Sequence, residues 1–436
     1  MRLSWSTTLR ITLVVGLIGA AVGFLSGPIA ADDEPTEAAP EAPEPDAPRA
    51  SADDGTTFPG LDPRRHRVED GVTVADLSDG STALLSLDPG LQAHLTGLYE
   101  QNEVPFGAAV ALDPSTGRVL AYVSHSSADP DAPDQVLDAS PPTASVFKII
   151  TAAALVDAGV HPGDQTCYHG GVSRLTEDNL DDAPDRDNRC STLADAMGGS
   201  INCVFAKLAD RHLDPPTLER FASAFGFGHP LPFDVPTRLS AMEVPTERLE
   251  FARTSAGFWH MHMSPLHGAL IAATIANDGR MPRPTLVDEV IAGDGDVTYR
   301  AEPSIYRDVI PRRHARLVGQ MMERTVARGG TARRYFFDRR GNAFLPGIDA
   351  AGKTGTLAGS DPYRGYTWFV GYAPVDDPQI AVAALVVNEP RWRIKGAYVA
   401  REAMRYWLVT RPREQRQAAR DAERAAAEAQ QTEAAE

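Results

Sequence analysis

The stretch "PPTASVFKIITAAALVDAG", residues 141–159, places Ser145 three positions ahead of Lys148 inside a run that is otherwise almost wholly apolar. Of the 42 lysines and arginines in the chain only four are lysine: Lys148, Lys207, Lys353 and Lys395. Arginine keeps its proton at any workable pH, whereas a lysine in apolar surroundings can lose it and act as a base. Lysine is therefore the marked choice at 148. Pro141 and Pro142 precede the stretch and Gly159 ends it, so the pattern predicts a buried helix with Ser145 at its start.

On either side of this helix the pattern is mixed. "GAAVALDPSTGRVLAYVSHS" alternates about Pro114-Ser115-Thr116-Gly117 and reads as a β-hairpin. "STLADAM" and "NCVFAKLADRHL" read as helices separated by "GGSI". "AAGKTGTLAG", "YTWFVGYAPV" and "QIAVAALVVNE" read as three strands, followed by the amphipathic helix "KGAYVAREAMRYWLV". Strands at both ends with helices between predict an α+β fold, an antiparallel sheet flanked by helices on both faces.

The chain divides by composition into four parts. Residues 1–30 hold Arg2 and Arg10 ahead of an uncharged run from Ile11 to Ile29, which reads as a single-pass membrane anchor, or else a cleavable signal, that exports the rest of the chain. Residues 31–60 form an acidic, proline-rich linker. Nine acids and one arginine lie between Asp32 and Asp54, so −8 of the net −17 sits there. Residues 61–410 are long enough for one large domain, and 411–436 are a charged, alanine-rich tail. The acidic balance excludes a nucleic-acid binder, which presents concentrated basic surface.

Three cysteines suit an exported chain in which two pair. Cys167 and Cys190 flank a polar loop that packing alone would not hold, so these two are the expected disulfide and Cys203 a free, buried thiol. His260, His262 and His267 crowd "WHMHMSPLH" without a carboxylate at ligand spacing; no metal and no cofactor is expected.

Ser145-x-x-Lys148, Ser200-Ile201-Asn202 and Lys353-Thr354-Gly355-Thr356 follow one another in that order. This set resembles the active-site motifs of penicillin-binding protein transpeptidases and serine β-lactamases. "SLDPGLQAHL", "MSPLHGALIAATIANDG" and "ARGGTARRYF" also look like stretches of the transpeptidase domain, and the resemblance covers roughly residues 80–408. It implies a serine D,D-transpeptidase acting on peptidoglycan stem peptides that end in D-Ala-D-Ala. The alternatives are a D,D-carboxypeptidase or serine β-lactamase of the same fold, or a non-catalytic β-lactam sensor or wall-binding scaffold.

The resemblance implies that Ser145 is the nucleophile, Lys148 its base, Ser200 a proton relay, and Asn202 the holder of the substrate amide. Lys353 would supply positive field, Thr354 and Thr356 would take the terminal carboxylate, and Gly355 would let substrate approach the strand. The backbone amides of Ser145 and Thr356 would form the oxyanion hole. β-Lactams would be covalent inhibitors, a cell-wall synthesis complex the expected partner, and the outer face of the inner membrane the expected location.

Overall fold

The structure is a computed structural model that describes residues 57–171, 174–360 and 362–433. The expected anchor and all but the last residues of the linker lie outside the described residues. Among the described residues no helix is long and apolar enough to cross a membrane.

The expected hairpin forms strands β1 (Phe106–Leu112) and β2 (Val119–Ser126), and the three late segments form β3 (Ala351–Ser360), β4 (Tyr363–Ala373) and β5 (Ile380–Asn388). They make one sheet in the order β3-β4-β5-β1-β2, antiparallel at every step. β5 pairs Leu385 with Trp368 of β4 on one side and with Ala108 of β1 on the other. The last strand is thus the seam between the early and late parts of the chain. Its sequence, "IAVAALVVN", shows no alternation because both faces are covered.

Six helices matter for the site: α1 (Pro89–Gln101), α2 (Lys148–Asp157), α3 (Leu193–Gly199), α4 (Asn202–His212), α5 (Pro265–Ala276) and α6 (Gly396–Arg405). Ala381, Ala383, Leu385 and Val387 of β5 face a core that includes α2, α4 and α5. Val382, Ala384 and Val386 face the opposite core, built with α1 and α6. The α+β arrangement with helices on both faces is therefore the one present.

Local chemistry fixes where these helices begin. Asp88 Oδ1 accepts from Leu91 N at 2.8 Å with Pro89 opening α1, and Ser264 caps α5 ahead of Pro265. Each cap satisfies an amide that the first turn leaves without a partner, and proline there loses no hydrogen bond.

Three features differ from the sequence reading. A second antiparallel sheet runs in the order Arg67–Glu69, Val72–Asp76, Thr82–Leu85, Val287–Ile291, Val297–Arg300. Packing starts before residue 61: Phe58 is buried and its amide donates to Asp234 O at 3.2 Å. At the other end a π-turn over Tyr406–Thr410 runs on into the helix Arg411–Glu433.

Cys167 and Cys190 are joined, on paired strands where they face each other in register. Cys203 is free and buried on α4, where burial raises its thiol to about 11. The polar loop is also held from α4. Lys207 Nζ donates to Asp187 Oδ2 at 3.0 Å and to the carbonyls of Cys167 and Asp181 at 3.1 Å each.

Candidate active site

Ser145 lies in a 3-10 turn, Ala144–Phe147, and the α-helix begins only at Lys148. The change matters because residues three apart eclipse one another in a 3-10 turn. Lys148 Nζ is 2.8 Å from Ser145 Oγ. The turn is held from several sides. Trp368 Nε1 donates to Pro142 O at 2.9 Å, and Thr143 N donates to Met261 O at 2.9 Å. Ala144 has φ +48°, a conformation that costs a residue with a Cβ about 1 kcal/mol.

Two glycines allow that strained turn its place. A Cβ on Gly257, itself at φ +86°, would lie 2.4 Å from Ala144 O. One on Gly355 would press on Ala144 Cβ and Thr143 O, both at 3.2 Å. Gly355 therefore lets β3 lie against the serine turn.

Lys148 is wholly buried. Besides Ser145, its Nζ donates to Asn202 Oδ1 at 2.7 Å and to Ala256 O at 2.5 Å. Burial, and then the charge of Lys353, push its pKa well below the usual lysine value. A neutral amine has two hydrogens and one lone pair. Both carbonyl oxygens only accept, so they take the two hydrogens and leave the lone pair facing the Ser145 hydroxyl. That is the geometry of a base poised for the serine proton.

Lys353, also wholly buried, donates to Ser200 Oγ at 2.9 Å and to Thr354 O at 3.0 Å, and burial lowers it to about 7. Ser200 ends α3 in a left-handed conformation, φ +56°, which turns the chain sharply into α4 and sets Asn202 two residues on. Thr354 Oγ1 lies 2.6 Å from Thr331 Oγ1. Ser145, Ser200, Asn202, Thr354, Gly355 and Thr356 line one cleft of about 360 Å³, with Lys148 and Lys353 beneath its serines. Thr356 is exposed on the edge strand of the sheet.

All eight candidate residues thus meet, from segments up to 211 positions apart (356 − 145). Neither Cys167 nor Cys190 lines the cleft. The sequence reading missed the Ala256 carbonyl and the Trp368 indole. It also assigned nothing to Thr331, Arg334 or Lys395, which line the same cleft. The histidines go elsewhere: His267 bonds Ser240 Oγ and Phe225 O in the core, His262 is buried, and His260 pairs with Glu250. Among the described residues no cluster of three or more His, Cys, Asp or Glu could hold a metal ion.

The model of the penicillin-binding protein transpeptidase domain matches residues 107–405, which is most of the chain and includes every one of these side chains. The chain belongs to the penicillin-binding protein transpeptidase family. Its relatives include the peptidoglycan D,D-transpeptidase PbpA of Mycolicibacterium smegmatis, 31% identical over 314 residues, covering 64% of this chain and 61% of that protein. PbpA of Mycobacterium tuberculosis is 31% identical over 320 residues, covering 65% and 62%. The chain thus spans about three fifths of the length of the curated relatives it matches. Among solved structures of the family, that of PBPA from M. tuberculosis superposes with a TM-score of 0.62 at 25% identity, covering 74% of this chain and 80% of that one. Penicillin-binding protein A of the same organism is also solved as an imipenem acyl-enzyme, with a TM-score of 0.62 at 26% identity, covering 74% and 79%.

Proposed function

We propose that the protein is a serine D,D-transpeptidase that cross-links peptidoglycan stem peptides through an acyl-enzyme on Ser145. The observation that carries this is the buried Lys148 amine, 2.8 Å from Ser145 Oγ and within hydrogen-bond reach of Asn202 Oδ1 and Ala256 O, where burial and the charge of Lys353 both disfavour its proton.

In the first half-reaction Ser145 Oγ attacks the carbonyl carbon of the penultimate D-alanine as its proton passes to Lys148. The backbone amides of Ser145 and Thr356 hold the oxyanion. The C–N bond then breaks and the nitrogen of the terminal D-alanine takes the proton held on Lys148, relayed through Ser200, which bonds Lys353, so that Lys148 is free again as a base. Thr354 and Thr356 hold the terminal carboxylate, with Lys353 as nearby positive charge, and Asn202 also orients the substrate amide. In the second half-reaction an amine from a neighbouring stem enters where D-alanine left. It gives up its proton to the same base and takes the acyl group from Ser145. A β-lactam follows the first half only and stays on the serine.

The same reading gives the chain its setting. Residues 1–30 anchor it, 31–60 tether it, and the catalytic domain from 61 to 410 faces the outer side of the inner membrane beside a cell-wall synthesis complex, with the 411–436 tail beyond. Incubating the protein with a stem-peptide donor and an amine acceptor, and separating products by mass, tests the reaction. Cross-linked product is expected. Trimmed donor alone would make it a D,D-carboxypeptidase, and no acyl-enzyme at Ser145 would overturn the proposal.

A further inference from the structure

The cleft does not end at the threonines of β3. From Thr354 its wall continues through Thr331 to Arg334 and Tyr335, and it reaches Lys395 at the start of α6. Among the described residues neither Arg334 nor Lys395 has a carboxylate partner: Arg334 donates to Tyr335 Oη at 3.0 Å, and Lys395 lies 4.5 Å above the Trp392 ring. The aromatic faces position these cations without neutralising them.

The chain has 59 acids and a net charge of −17, and its other non-catalytic lysine, Lys207, is met by Asp182 and Asp187. At Lys395, by contrast, burial and then the neighbouring charge of Arg334 both weigh against the proton. The positive end of helix α6 weighs the same way. Two like charges thus line one cleft. An anion in that cleft would relieve all of these costs together.

We propose that Arg334 and Lys395 form a second anion subsite of this cleft, which takes a carboxylate carried on the peptide substrate apart from the terminal carboxylate assigned to Thr354 and Thr356. The inference rests on the transpeptidase reading above. It makes the enzyme selective for acidic over amidated stem peptides. The carboxylate comes either from the donor or from the acceptor, and the two sources are separable.

The test uses matched peptides that differ only in a free or amidated side-chain carboxylate, placed first on the donor and then on the acceptor. The readout is the ratio of kcat/KM between acid and amide. The wild type is expected to favour the acid about ten-fold on one arm, the size of one charge-assisted hydrogen bond, and that arm identifies the source. In Arg334→Gln/Lys395→Gln the ratio falls to about 1, while Arg334→Lys/Lys395→Arg keeps most of it. Equal rates on both arms in the wild type, or a preference that the double glutamine variant retains, overturns the subsite. Should that variant not fold, raising salt on the wild type serves instead: the preference falls several-fold if charge carries it, and a salt-indifferent preference overturns the idea. Turnover without discrimination sinks the subsite and leaves the transpeptidase standing. No turnover, with no labelling by a fluorescent penicillin, sinks both.

Discussion

Lys207 and the pair Lys148 and Lys353 are equally shut off from water, yet they are surrounded differently. Lys207 meets two carboxylates and two carbonyls, and it ties the loop between Cys167 and Cys190 to α4. Lys148 and Lys353 meet only neutral oxygens: hydroxyls, an amide oxygen and backbone carbonyls. Burial penalises all three cations, and only the carboxylates at Lys207 offset it. A buried lysine with acids is a fastener. A buried lysine without acids is a group ready to give up its proton.

The comparison is broken most severely at Lys148. Ser145→Ala should abolish labelling by a fluorescent penicillin, and Lys148→Arg should slow it by at least about 100-fold, the lower range of general-base catalysis, with little change in thermal stability. Acylation of Lys148→Arg at near wild-type rate would show that this lysine is only a fixed charge. Lys148→Met, uncharged and of similar bulk, carries the test if the arginine does not fit.

Lys207→Met should do the reverse. Removing the cation leaves Asp187, only 7% exposed, with His169 and the Ala183 amide but without the buried ammonium. The expected cost is about 3 kcal/mol in denaturant unfolding, with residual folded protein still acylated. A loss of acylation larger than the loss of folded protein would mean that Lys207 is more than a fastener.

Acidity sharpens the contrast at Lys353. With burial holding this group at about 7, it loses its proton across neutral pH, so binding of a donor with a free terminal carboxylate weakens above that point. The KM should climb by up to about ten-fold per pH unit, while a donor amidated at that terminus shows no such limb. The same shift bears on stability with a definite sign. Between about pH 7 and 10.5 the unfolded chain holds the proton and the folded chain does not, so stability rises with pH over that window. A KM that is flat from pH 6 to 9 would remove Lys353 from carboxylate binding.

The smallest effect is expected at Gly355→Ala. The new Cβ meets Ala144 Cβ and Thr143 O at 3.2 Å, so the serine turn must give by a few tenths of an ångström. A stability loss of about 1 kcal/mol and slower acylation are expected, read by thermal unfolding and penicillin labelling. Slowed acylation with no loss of stability would point to a role toward substrate instead.

Much of this site is legible in sequence because its chemistry is carried by side chains with little freedom to be anything else. Lysines are rare here, and two of them stand in Ser-x-x-Lys and Lys-Thr-Gly. The Ala256 carbonyl is not legible, because every residue has one and only the fold aims it. The 3-10 turn at Ala144–Phe147 is hidden for a related reason: apolar residues there suit a helix equally well, and contacts with Gly257, Gly355 and Trp368 decide otherwise. The central sheet is readable from its long strands. The second sheet is not, since its strands have three to five residues each and Thr82–Leu85 finds its partner some 200 positions on, at Val287–Ile291.

The seam strand β5 also sets a schedule. A chain delivered N-terminus first offers the β1–β2 hairpin and the serine turn long before Ile380–Asn388 exists to join them to β3 and β4. Until then β1 has an unpaired edge and both cores lack a wall. The nucleophile therefore cannot be assembled in a partly made chain. Truncation between Thr356 and Asn388 leaves every motif residue present in the polypeptide and the sheet that gathers them unfinished.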